Sequence, residues 1–143
     1  MKKGRKYKKV LVFGTFDIFH KGHENFLRQA KKCGKYLIVV IARDKTVKIV
    51  KGRLPINKEK ARLKKVQKTR LADKIVLGEL KSKYSIIKKM KPDIICLGHD
   101  QKVFVDKLEE NLFANNLRNV RIKRLKAFKP EIYKSSIIHK RYN

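Results

Sequence analysis

A chain of 143 residues and 16.9 kDa has the size of one compact domain. Hydrophobic residues make up 42%, which supplies a core and argues against pervasive disorder even though 40 Lys and Arg face 12 Asp and Glu, for a formal charge of +28. No apolar run approaches the roughly 20 residues that span a bilayer, and the basic residues 1–9 have no apolar stretch behind them, so the expectation is a cytoplasmic protein without an export signal or membrane partner. Cys33 and Cys96 are distant in sequence and form no metal-ligand pair, which indicates neither a disulfide scaffold nor a zinc module. A pI near 10.4 admits nucleic acid as a partner. Yet 30 Lys against 10 Arg, with none of the common nucleic-acid motifs, does not favour it.

The apolar segments follow a regular order. Val10-Leu11-Val12-Phe13 reads as a buried strand closed by Gly14. From Gly22 onward Phe26, Leu27 and Ala30 recur at helical spacing, and Gly34 is expected as the helix C-cap. Leu37 to Ile41 is a second strand. A loop with Gly52 and Pro55 is expected next, then Asn57 as the N-cap of a helix reaching about Arg70. Lys74 to Leu77 is a third strand and 83–91 a helix stopped by Pro92. Asp93 to Leu97 is a fourth strand, 105–116 helical, Val120 to Ile122 extended and 135–140 a last short helix. Strands apolar on both faces, alternating with helices, predict an α/β fold: one doubly wound, Rossmann-like parallel sheet of about five strands with helices on both faces. Residues 1–143 are read as a single domain, with 1–8 as a basic extension.

Strand one runs into Gly14-Thr15-Phe16-Asp17-Ile18-Phe19-His20-Lys21-Gly22-His23. A turn at a strand end that opens a helix gathers backbone N–H groups and a positive helix end on one spot. His20 and His23, three apart, project on one side of the first helical turn and suit phosphoryl oxygens. No third ligand for zinc lies nearby. Gly14 is expected to let a ligand approach the backbone.

The Gly14-Thr15-Phe16-Asp17 and His20-Lys21-Gly22-His23 segments resemble the nucleotidyltransferase superfamily that carries the H-x-G-H signature. Further along, Ile41 to Val47, Lys51-Gly52-Arg53-Leu54-Pro55-Ile56 and Lys91 to Lys102 look most like its archaeal FAD synthetase branch, with glycerol-3-phosphate cytidylyltransferases as near relatives. The resemblance implies in-line attack of a substrate phosphate on the α-phosphorus of a nucleoside triphosphate, with pyrophosphate leaving. ATP and FMN giving FAD is the favoured pair. CTP with glycerol 3-phosphate or a similar phosphorylated acceptor is the alternative, and a catalytically degenerate, nucleic-acid-associated protein is a further one. Homodimerisation is left open.

The same resemblance assigns His20 and His23 to catalysis and gives the Thr15 and Phe16 amides to the α-phosphate. Asp17 would order the loop or hold a metal-bound water. Lys51, Arg62, Gly98 and Asp100 would join the nucleotide site. Ser135 and Ser136 fit the hydroxyl and helix-terminus role near the chain's end, with Lys126 or Lys129 supplying the charge of the Arg or Lys that follows the serines in relatives. Mg²⁺ or another divalent cation is expected because a triphosphate is normally metal-bound.

Overall fold

Val10, Leu11, Val12 and Phe13 form an unbroken apolar run, and the alternation of their side chains sets the layering of the whole chain. In the computed structural model, which describes residues 7–79, 83–99, 101, 108–117 and 119–127, these four residues lie in strand β1, Tyr7–Gly14. Val10 and Val12 point to one face, where they pack with Leu27 and Ala30 of helix α1 (Lys21–Lys32) and with Val66 of a later helix. Leu11 and Phe13 point to the other, against Ile86, Ile87, Leu108 and Leu112. Both faces of the strand are dry, so no alternation of polar residues marks it in sequence.

The remaining elements follow in chain order. Strand β2 spans Gly34–Ile41, helix α2 Asp44–Lys51, helix α3 Glu59–Lys68, strand β3 Lys74–Leu77 and helix α4 Lys83–Met90. Strand β4 (Ile94–Leu97), helix α5 (Leu108–Ala114) and strand β5 (Arg121–Arg124) complete the set. All strand pairs are parallel and their order is β3-β2-β1-β4-β5. The chain therefore winds one way from β1 through β2 to β3, then crosses back to lay β4 on the opposite side of β1. This is the doubly wound, Rossmann-like sheet that the sequence predicts. No helix among the described residues is long and apolar enough to cross a membrane.

Four local expectations are corrected. Tyr7 and Lys8, read as part of a basic extension, belong to β1, where Tyr7 pairs with Gly34. Gly34 is the first residue of β2 and not a helix cap; the C-cap is Cys33 in a right-handed conformation. Residues 44–51, expected as loop, form α2. Its Thr, Val and Ile are weak helix formers, and tertiary contacts override them: Val47 is buried, and Gly52 closes the helix at φ 78° with its N–H on Lys48 O at 2.8 Å. The N-cap of α3 is Lys58, because Asn57 is engaged elsewhere. The helix expected at 135–140 lies outside the described residues.

Cys33 and Cys96 meet in the α1 face of the core. Burial, then the neighbouring Cys33, push the Cys96 thiol pKa upward, which keeps it protonated and unreactive. At Gly34 the packing admits no side chain: a Cβ would stand 2.4 Å from Val10 Cγ2 and 2.7 Å from the Tyr7 carbonyl oxygen. The second neighbour is backbone in a paired strand and cannot give way. Gly34→Ala is expected to lower unfolding free energy by about 1–3 kcal/mol, measured by denaturant titration against wild type.

Candidate active site

The reversal of strand order falls between β1 and β4, so the crevice lies at their C-terminal ends, where the Gly14 and Gly98 loops emerge. In the first loop Phe16 adopts φ 52°, a left-handed conformation that a bulky residue avoids. Its ring accounts for this. It is 3% exposed, packs toward Phe19, Phe26 and His23, and lies over Gly14, where a Cβ would come within 2.4 Å of it. Gly14 thus makes room for the Phe16 ring and not, as the sequence suggests, for a ligand.

The two histidines open α1 as a capping box. His20 is the N-cap and its Nδ1 accepts from Gly22 N at 3.0 Å; His23, at the third helical position, accepts from His20 N through Nδ1 at 3.3 Å. The three-residue spacing of the pair is therefore the spacing of a cap. With both Nδ1 atoms acting as acceptors, the proton of each neutral ring sits on Nε2, and Nε2–H is the donor each presents. The rings stack at 3.8 Å between centroids and 25° between planes. Phe16 and Phe19 each approach His23 at 5.4 Å. Burial, then the charge of His20, then that of Lys51, lower the His23 pKa to about 3, so this imidazole is neutral at physiological pH. His20 Nε2 is shielded from solvent.

Behind the loop stands Arg62, buried completely. Its Nε donates to Asn57 O at 2.9 Å, Nη1 to Thr15 O at 2.8 Å and Nη2 to Asp44 Oδ1 at 2.7 Å. The nucleotide-contact role expected for Arg62 gives way to a positioning one, since its guanidinium faces protein atoms from three segments. Asp17 is 4% exposed and accepts from Ile56 N and Asn57 N, each at 2.8 Å, while Asn57 Nδ2 donates back to Asp17 O at 2.8 Å. Of the two roles weighed for Asp17, the geometry displays the ordering of the loop. Thr15, Asp17, Lys51 and Arg53 line a shallow open cleft together with the apolar Val47, Leu54 and Pro55. Lys51, exposed at the end of α2, is near enough to His23 to act on its titration.

Across the crevice, Gln101 ties the β4 loop to β1. Its Oε1 accepts from Gly98 N at 2.7 Å and its Nε2 donates to Phe13 O at 2.9 Å. Arg124 Nη1 donates to Gly98 O at 2.6 Å. Lys126 is exposed, and its backbone is held on α1 by the Gln29 side chain. Asp100, Lys129, Ser135 and Ser136 lie outside the described residues. No group of three or more His, Cys, Asp or Glu that could hold a metal ion occurs among the described residues.

The model of the family described as cytidylyltransferase-like matches residues 11–141. The chain belongs to the cytidylyltransferase-like family. Among curated proteins it is 41% identical over 139 residues to an FAD synthase of Pyrococcus abyssi, covering 96% of this chain and 94% of that one. It is 40% identical over 131 residues to an FAD synthase of Thermococcus sibiricus, covering 91% and 88%. A crystal structure of a lipopolysaccharide core biosynthesis protein from Thermoplasma volcanium superposes with TM-score 0.80 at 34% identity, covering 86% of this chain and 99% of that one.

In this cytidylyltransferase-like chain the residues that sequence reasoning passed over are Asp44, Gln101 and Arg124, together with the true task of Asn57. All four act between segments distant in sequence, and no local spacing signals them. Arg62→Met is expected to lower stability by about 3 kcal/mol, because it leaves a carboxylate and two carbonyls without their donor; denaturant melts of the variant and wild type measure it. His23 makes a second, pH-dependent prediction. Its pKa is lowered to about 3 in the folded chain, against the ordinary 6.5 of histidine, so the unfolded chain binds more protons between those values and stability falls as pH falls through them. Wild type is expected to lose about 1 kcal/mol per pH unit there relative to His23→Asn, compared by melts from pH 7 to pH 4.

Proposed function

We propose that this chain transfers the adenylyl group of ATP to FMN, giving FAD and pyrophosphate. The observation that carries the reading is the pair of archaeal FAD synthases matched at 40% and 41% identity along 91% and 96% of the chain. The site supports it chemically. An oxygen of the FMN phosphate attacks the α-phosphorus in line; the new P–O bond forms as the bond from the α-phosphorus to the α–β bridging oxygen breaks. The electron pair leaves with pyrophosphate, and no covalent enzyme intermediate is needed. The two imidazoles donate through Nε2–H to oxygens whose charge rises as the bond breaks, which stabilises the transition state without a proton transfer. Lys51 adds positive charge beside them. Thr15 and Phe16, fixed by Arg62 and by the buried ring, offer backbone amides to the α-phosphate.

A divalent cation, most simply Mg²⁺, arrives as part of the triphosphate substrate, whose own oxygens supply ligands of the kind Mg²⁺ prefers. The described residues build no separate cage for it, and Asp17 spends both carboxylate oxygens on loop amides. Asp100, Ser135 and Ser136 keep the nucleotide-binding roles assigned from sequence.

Incubation with ATP, Mg²⁺ and FMN is expected to release pyrophosphate and form FAD, whereas CTP with glycerol 3-phosphate releases none; the opposite result overturns the reading. His20→Ala is expected to lower kcat by about 100-fold or more while ATP affinity changes only a few-fold. An equal loss in both would make His20 a ground-state ligand.

A further inference from the structure

Among the described residues six large hydrophobic side chains are exposed, and four of them, Ile49, Val50, Leu54 and Ile56, fall within one eight-residue stretch. The stretch is not a loose surface loop. Ile56 N and Asn57 N are held by Asp17, and Gly52 closes α2 on Lys48 O. On α2, residues 47, 50 and 51 share a face by helical spacing. Val47 and Lys51 of that face line the cleft beside the His pair, as do Leu54 and Pro55. Leu54, 58% exposed, is thus an apolar lining residue of the cleft open to solvent, and Val50, 56% exposed, stands one turn from the lining Val47 and next to the lining Lys51. A rigid, exposed apolar surface joined to a phosphate-handling site calls for a ligand that is flat and apolar at one end and anionic at the other.

We infer that Val50, Leu54 and Pro55 form the shelf on which the tricyclic ring of the flavin acceptor rests, with its phosphate directed past Lys51 and Arg53 to the stacked histidines. The inference rests on the reading of FMN as acceptor and adds the residues that select it. A small phosphorylated alcohol would leave the shelf bare, because it carries nothing apolar to cover it. The isoalloxazine ring matches a shallow open wall, which a planar group covers without needing a deep pocket. Charge complementarity sets its direction: Lys51 and Arg53 line the same cleft as Leu54 and Pro55, and Lys51 is near enough to His23 to act on its titration.

The test is the double variant Val50→Ser/Leu54→Ser, both positions being exposed enough to leave the fold intact. It is expected to raise KM for FMN about tenfold with KM for ATP within twofold, and to weaken FMN binding, read by flavin fluorescence without ATP, by a similar factor. An unchanged KM and fluorescence titration in a wild-type protein that does form FAD would overturn the shelf and leave the proposed function standing. Failure of the wild type to form FAD would overturn the function and the shelf with it. A dimeric wild type that becomes monomeric in the variant, seen by sedimentation, would assign the patch to a subunit interface and overturn the shelf as well.

Discussion

The geometry of the crevice hangs on one buried cation. Arg62 sits in the dry interior, and a guanidinium there is tolerable only when its donors are met. Meeting them brings together Thr15 from the loop after β1, Asp44 from the start of α2 and Asn57 from the entry to α3. Each of these contacts fixes something else in turn. Thr15 is followed by the strained Phe16, Asp44 opens the helix that ends in Lys51, and Asn57 shares Asp17 with Ile56. A planar fork with directed donors can impose such an arrangement, whereas a lysine at the same place would supply charge without orientation.

From that frame follows the condition of the histidine pair. Stacked rings 3.8 Å apart cannot both carry charge at low cost. The fold eases the conflict by capping and burial: both Nδ1 atoms accept backbone N–H groups, and the buried His23 ring is held neutral. Preorganised neutral donors need no reorganisation as charge develops on a phosphoryl group, which is where electrostatic catalysis gains most. The aromatic rings of Phe16 and Phe19 lower the local polarity and sharpen the same effect.

Much of this was legible in the sequence because the signals were local. Continuous apolar runs such as Leu37 to Ile41 announce strands buried on both sides, and Gly14 to His23 announces a strand–turn–helix unit with two imidazoles three residues apart. What escaped had one of two causes. The first is tertiary override: α2, built from β-branched residues, forms because Val47 is buried and Gly52 can turn left-handed. The second is distance along the chain. Arg62 reads as a helix-surface residue with a ligand role, and only the folded arrangement, which places it 47 positions from Thr15 and in contact with it, reveals that it faces inward. Asn57 likewise carries the right chemistry for a cap and is used for a different bond.

The strand order also says something about the lysine excess that the catalytic reading leaves aside. Among the described residues β3 and β5 are the outer strands, and an outer strand offers its unpaired backbone groups as a template for another chain. β5 reads Arg121-Ile122-Lys123-Arg124, with its three basic residues exposed, and β3 begins at exposed Lys74. Meanwhile Asp17, Asp44, Glu59, Asp73 and Asp93, five of the 12 acids in the chain, point their carboxylates at backbone N–H groups or at Arg62, and only Asp73 and Glu59 among them also pair with a less buried cation, Lys31 and Arg43. The outcome is a sheet whose margins repel copies of themselves.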